Sequence, residues 1–125
     1  MDIHRSTEDY LEAMLMLREE HGYIRSIDVA KQLGVTKPSV SYSTKRLREA
    51  GYITMDDDSY ITLTDAGMAI ASRILERHKL LTAFFIHLGV DPAVAREDAC
   101  KVEHDISEET FDALCRHAKA AREKS

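Results

Sequence analysis

With 125 residues, the chain has room for one domain or for two small ones sharing a core. It is 44% hydrophobic and 31% charged, with five Gly and two Pro, which excludes a long disordered or low-complexity chain. The net charge of −5 weighs mildly against nucleic-acid binding, and no apolar run approaches the roughly 20 residues of a membrane span. The polar start (Asp2, His4, Arg5, Glu8, Asp9) lacks the apolar core of a signal peptide, so a cytoplasmic protein is expected. Cys100 and Cys115 do not make a disulfide framework and are expected to be thiols.

Taken in chain order, the first expected helix runs from Ser6, as N-cap, to about His21. Asp9 sits where a capping box places Glu, and Tyr10, Leu11, Met14, Leu15 and Leu17 form the apolar stripe. Ser26 is expected to cap a short second helix through Val29, Ala30 and Leu33, with a turn at Gly34. Thr36 then caps a third helix, with Pro38 in its first turn, Val40 and Leu47 inward, and an end at Gly51. Tyr52 to Met55 and Tyr60 to Leu63 alternate as strands around an Asp56-Asp57-Asp58-Ser59 turn.

Thr64 caps a long helix to Leu88 whose last part, Leu80 to Ile86, is apolar nearly all round and calls for cover on several sides, a second subunit being one source. Asp91-Pro92 opens a helix ending near Asp105. Ser107 caps the last one, with Ile106 and Phe111 placed as a hydrophobic staple. The fold class expected is mainly α. Residues 1–65 are expected to make a winged helix-turn-helix, and residues 66–125 a second, all-helical domain.

The winged helix-turn-helix reading rests on two short helices joined at a glycine, the second rich in Ser, Thr and Lys/Arg, followed by a hairpin. From Gly22 to Gly51 there are six basic residues against two acidic ones, a local balance of +4 that leaves −9 for the rest. Candidate DNA contacts are Arg25, Thr36, Lys37, Pro38, Ser39, Ser41, Tyr42, Lys45 and Arg46, the last two suited to the phosphate backbone. Ile27, Ala30, Leu33, Val35, Val40 and Leu47 are spaced for a small three-helix core beneath them. The acidic wing tip disagrees with phosphate contact. The competing reading is a solvated charged helix, which leaves the caps, the Gly turn and the wing unexplained.

Six side chains are candidate metal ligands. Asp9 and Glu12, three apart, present two carboxylates on one helix face. Cys100, Glu103 and His104 stand at i, i+3 and i+4, and His78 adds an imidazole from the helix between. Thiolate, carboxylates and imidazoles together suit a first-row transition ion better than calcium or magnesium. Each residue also has an ordinary role: Asp9 in a capping box, Glu12 as a surface charge, Cys100 as a small buried hydrophobe, His78 in a solvated run, His104 at a helix C-terminus. Taken singly those roles prevail. They do not explain why Cys, Glu and His share one face.

The chain resembles the diphtheria-toxin-repressor family of metal-dependent transcriptional regulators, most closely its manganese-transport-regulator branch. The resemblance covers nearly the whole chain. It rests on Ser6-Thr7-Glu8-Asp9-Tyr10-Leu11-Glu12, Val35-Thr36-Lys37-Pro38-Ser39-Val40, Leu63-Thr64-x-x-Gly67, Arg77-His78-x-Leu80-Leu81 and Glu97-Asp98-Ala99-Cys100-x-x-Glu103-His104. It implies a homodimeric repressor that binds palindromic operators near metal-transport genes when loaded with one or two Mn²⁺ or Fe²⁺ ions per subunit. Asp9, Glu12, His78, Cys100, Glu103 and His104 would be the ligands.

The manganese branch usually has Glu where Cys100 stands. The iron branch usually has that Cys, but Met where Asp9 stands. The iron branch also expects Glu at Thr82 and His at Arg96 for an ancillary site, and a further SH3-like domain. The resemblance therefore implies a manganese-type site with an iron-type thiolate, and both ions stay open. An ion joining the first helix to the later ones would set the spacing of two recognition helices. The alternatives are a winged-helix regulator that does not sense metal and, less well supported, a small metal-dependent hydrolase. There is no H-E-x-x-H motif and no Gly-rich phosphate loop. No enzymatic activity, membrane partner or small organic substrate is expected.

Overall fold

A computed structural model describes residues 5–123, with side chains described to residue 120. The readings placed on Asp2 and His4 lie outside these residues. Six helices and one two-stranded sheet occur among them: α1 Arg5–His21, α2 Ser26–Leu33, α3 Lys37–Glu49, β1 Ile53–Met55, β2 Ile61–Leu63, α4 Asp65–His87, α5 Pro92–Val102 and α6 Glu108–Glu123. The mainly α fold class and its winged helix-turn-helix are borne out. The chain divides into two compact units, Met1–Leu75 and Glu76–Ser125. No helix of the described residues is long and apolar enough to cross a membrane.

In the first unit the expected stripe of α1 is buried from Tyr10 to Leu17. Together with Ile24, Val29, Val40, Leu47, Ile53, Ile61, Leu63, Ala71 and Leu75 it builds one core. Gly34, at φ 67, lets the chain reverse after α2, and its N–H donates to Ala30 O. Thr36 accepts from Ser39 N at 3.2 Å and Pro38 occupies the first turn of α3, as expected. The strands pair Ile53↔Leu63, Thr54↔Thr62 and Met55↔Ile61, so Ile53, Ile61 and Leu63 face the core and the two threonines face water. Asp56 Oδ1 accepts from the N–H groups of Asp58 and Tyr60, both at 2.9 Å. One of the three wing-tip acids is therefore a turn-former.

The Thr64-x-x-Gly67 spacing is a joint. Thr64 Oγ1 donates to Gly51 O at 2.7 Å and accepts from Gly67 N at 3.2 Å, capping α4 as expected. A Cβ at Gly67 would overlap the Tyr52 carbonyl, so only glycine lets α4 start against the end of the α3–β1 connection.

In the first unit four expectations need correction. Helix α1 already includes Arg5, so Ser6 lies inside it and is not its N-cap. Arg25, without a side-chain cap bond, holds the N-cap of α2 and Ser26 is its first residue. The strands are shorter than expected, because Tyr52 has already turned to meet Thr64 and Tyr60 forms only an isolated bridge with Arg25. Ile27 and Val35 are exposed instead of core, since Ile24 and Val29 fill the space beneath α2.

The second unit holds the later part of α4, α5 and α6. Asp91 caps α5 through Ala93 N at 3.1 Å, and Ser107 caps α6 through Thr110 N at 3.1 Å, both as expected. Helix α5 ends at Val102, short of the expected Asp105, and Glu103 is its C-cap. Phe111 is buried, whereas Ile86, Leu88 and Val94 are exposed and Phe84 and Phe85 half-buried.

Candidate nucleic-acid interface and metal centre

Helix α3 divides cleanly. Val40, Thr44 and Leu47, at i, i+4 and i+7, are buried, and Thr44 Oγ1 is satisfied by Ser41 O at 3.1 Å. Thr36, Lys37, Pro38, Ser39, Ser41, Tyr42, Lys45 and Arg46 are all exposed. Arg46 lies over the Tyr42 ring, 5.6 Å from its centroid, and Tyr42 is 64% exposed. Arg25 stands apart from α3 in the chain and leans on the wing, with its guanidinium 5.3 Å from the Tyr60 ring centroid. Tyr23 meets Tyr60 edge-on and stacks on His21. The structure thus presents every sequence-predicted DNA-contact residue to solvent, and Tyr23 and Tyr60, which charge counting passes over, are exposed alongside Arg25. Their signal was the aromatic content at the start of the second strand and before α2.

The metal-ligand candidates fall on both units. In the first, Asp9 is half-buried and Glu12 buried, three apart on α1. Glu8 is buried as well and lies 3.8 Å from Arg73. In the second unit His78, Cys100 and Glu103 come together, with one ligand atom from each within 4.8 Å of the others. His78 Nδ1 faces Glu103 Oε2 at 2.9 Å and Cys100 Sγ at 3.6 Å. Cys100 is exposed, so it is not the small buried hydrophobe of the ordinary reading. His78 is largely buried instead of solvated.

Electrostatics favour a cation at this spot. The His78 imidazole is pushed up from 6.5 to about 10, first by its hydrogen bond with Cys100, then by that with Glu103 and by their charges, against burial, which lowers it. Glu103 is 0% exposed. Its Oε1 accepts no hydrogen bond and has His104 Nε2 as a neighbour at 3.4 Å. A buried carboxylate oxygen left in that condition is costly unless a cation meets it. Imidazole, thiolate and carboxylate converging on one point fit a divalent transition ion, and the ion would take the place of the His78 proton.

Sequence reasoning missed one neighbour of this cluster. Arg77, named only as part of a motif, is buried. Its flanks carry the signal: Ile74 and Leu81, three before and four after it, are both buried, which puts Arg77 on the inward stripe of α4.

One unit thus presents a solvent-facing helix beside a two-stranded wing, and the other gathers an imidazole, a thiol and a carboxylate at one place. Residues 2–60 match the iron dependent repressor N-terminal DNA binding domain, and residues 64–124 match the iron dependent repressor metal binding and dimerisation domain. The chain is 42% identical over 107 residues to the transcriptional regulator MntR of Escherichia coli, covering 86% of this chain and 69% of that protein. A solved metal-dependent transcriptional regulator, MtsR, aligns at 29% identity and TM-score 0.82 over 90% of this chain and 53% of its own. A manganese-dependent transcriptional repressor solved with manganese aligns at 27% identity and TM-score 0.77, over 86% of this chain and 50% of its own. The chain thus spans about half the length of those solved chains. It belongs to the iron-dependent repressor family, to which the diphtheria-toxin-repressor resemblance pointed.

Proposed function

We propose that the protein is a metal-dependent transcriptional repressor, which as a homodimer loaded with Mn²⁺ or Fe²⁺ binds palindromic operators and controls metal-ion homeostasis. The observation that carries this reading is the His78–Cys100–Glu103 cluster, a buried carboxylate and an imidazole drawn to one point beside a thiol. The proposed ligands are these three with Asp9, Glu12 and His104, which the motif match in the sequence adds. When bound, the ion supplies a dication that holds the carboxylates and the thiolate in place without protons. The proposed functional division lies at the start of α4, with residues 1–65 for DNA and residues 66–125 for metal and dimerisation.

Arg25, Thr36, Lys37, Pro38, Ser39, Ser41, Tyr42, Lys45 and Arg46 are the proposed DNA-contact residues. The serines and Thr36 donate to base edges and phosphates, and the cations neutralise phosphates. The exposed apolar residues Ile86, Leu88 and Val94 support a dimer-forming role for the second unit. A cytoplasmic location is part of the same reading.

The experiment is gel-shift titration of the full chain on a palindromic duplex selected from random-sequence DNA in the presence of Mn²⁺. A coupling of about 1–3 kcal/mol gives roughly 5- to 150-fold tighter binding with Mn²⁺ or Fe²⁺ than with chelator. His104→Ala is expected to fold and to lose this stimulation. Equal DNA affinity with and without every divalent ion would replace the reading with that of a regulator that does not sense metal.

A further inference from the structure

Arg77 carries a charge that the interior must compensate, since a guanidinium stays protonated and an unpaired buried cation is costly. It is 3% exposed. Its compensation is specific. One terminal nitrogen donates to the backbone carbonyls of Glu103 at 3.0 Å and Ile106 at 2.9 Å. The other donates to Glu108 Oε1 at 2.8 Å, and the guanidinium carbon lies 5.1 Å from the Phe111 ring centroid.

All of these partners sit between the end of α5 and the first turns of α6. The last carbonyls of a helix have no partner within it, so they need an outside donor when buried. Arg77 is that donor for the α5–α6 turn. The next residue on α4, His78, faces the Glu103 carboxylate at 2.9 Å. Two consecutive residues of one helix therefore hold Glu103 by its two ends, the backbone through Arg77 and the carboxylate through His78.

We propose that Arg77 is a positioning residue of the ion site, fixing the 103–106 turn so that the Glu103 carboxylate faces His78 and Cys100 before any ion arrives. The inference rests on the ion-binding reading above and deepens it. Without the guanidinium the Glu103 and Ile106 carbonyls lose their donor and turn toward water, carrying the Glu103 side chain with them. An ion would then have to order the turn as well as bind. The Arg77–Glu108 contact extends the same grip to the first residue of α6, so the start of that helix and the ion cluster share one anchor.

The test uses the full chain with two probes, Mn²⁺ for affinity and Co²⁺ for its visible d–d bands and its thiolate charge-transfer band. Arg77→Lys keeps the charge, but an ammonium cannot reach two carbonyls and a carboxylate with the same fork. Mn²⁺ affinity is expected to fall by about tenfold, the scale of losing an outer-shell partner of a metal ligand. The Co²⁺ d–d bands should shift while the thiolate band persists, because Cys100 still ligates. Ala95→Gly, a buried α5 residue remote in sequence from the turn, lowers helix stability without touching Arg77 and should leave both readouts unchanged.

A folded Arg77→Lys with wild-type Mn²⁺ affinity and an unchanged Co²⁺ spectrum would overturn the inference, as would Ala95→Gly reproducing both changes. Should Arg77→Lys fail to fold, Glu108→Ala decides. It removes one anchor from a half-exposed position and should weaken Mn²⁺ binding by roughly threefold, with the same spectral shift, short of a full outer-shell loss. No change there overturns the inference equally. A wild-type chain that binds neither ion refutes the ion-binding reading itself, and this inference falls with it.

Discussion

The first unit carries its candidate binding groups in water, and the second keeps most of its own away from it. In the first, the proposed DNA-contact residues of α3 are exposed, and the buried residues beneath them are apolar or, like Thr44, satisfied locally. In the second, the chemistry lies inside: Arg77 and Glu103 are buried, and His78 nearly so. An exposed binding face needs only a rigid support, and its side chains wait in water at little cost. A buried polar cluster must be satisfied by specific neighbours, so each member constrains the others. Substitutions should therefore act locally and additively on the α3 face, and cooperatively around Glu103.

The largest effect that sharpens this contrast is expected from Glu103→Gln. The amide keeps the shape of the side chain and removes its charge, so Mn²⁺ affinity should drop by more than about 100-fold, beyond the loss of an outer-shell partner. Calorimetric titration measures it, and a drop of less than about tenfold would remove Glu103 from the ligand set. The far-UV spectrum and the fold of the first unit should be unaffected.

Gly67→Ala probes the first unit instead. The added Cβ meets the Tyr52 carbonyl, a backbone atom that cannot swing aside, so the cost should reach the top of the overpacking range, about 3 kcal/mol. Urea unfolding gives the number. A variant within about 0.5 kcal/mol of wild type would mean that the α4 joint is loose.

The His78 proton offers a third comparison. Its folded-state value, about 10, stands above the ordinary 6.5. The ion-free protein therefore gains stability that is fully present below pH 6.5 and lost as pH rises toward about 10. Thermal unfolding against pH should show this decline, and His78→Gln should flatten it. An ion must expel the same proton, so Mn²⁺ affinity should rise through that window as ion-free stability falls.

The smallest effect is expected from Lys37→Ala. Losing one phosphate contact should weaken DNA binding evenly across sequences and reduce the slope of log affinity against log salt by about 1. Mn²⁺ binding should stay as it is. A changed base preference at one operator position would show instead that Lys37 reads a base.

Much of the first unit was legible because its signals are local. Thr36 with Pro38, Gly34, and the alternation of Ile53-Thr54 and Ile61-Thr62-Leu63 are settled by hydrogen bonds and side-chain directions within a few residues. The caps at Asp91 and Ser107 belong to the same class. The spacing of Cys100 and Glu103, with His78 between them and α1, anticipated which side chains the second unit brings together for a related reason. Side chains three apart on or just past a helix meet whatever packs against that side.

Tertiary structure alone decided the rest. Where α5 stops depends on Arg77, whose acceptors lie 26, 29 and 31 residues further along the chain. The exposure of Ile27 and Val35 depended on Ile24 and Val29 filling the core beneath α2. Arg25, expected among the DNA contacts, lies over the ring of Tyr60, a distant residue to which its own backbone also bridges. Sequence specifies which groups are available and in what local order. Whether a buried charge finds its partners depends on segments that meet only after the chain has folded, because burial removes the water that would otherwise have satisfied each group alone.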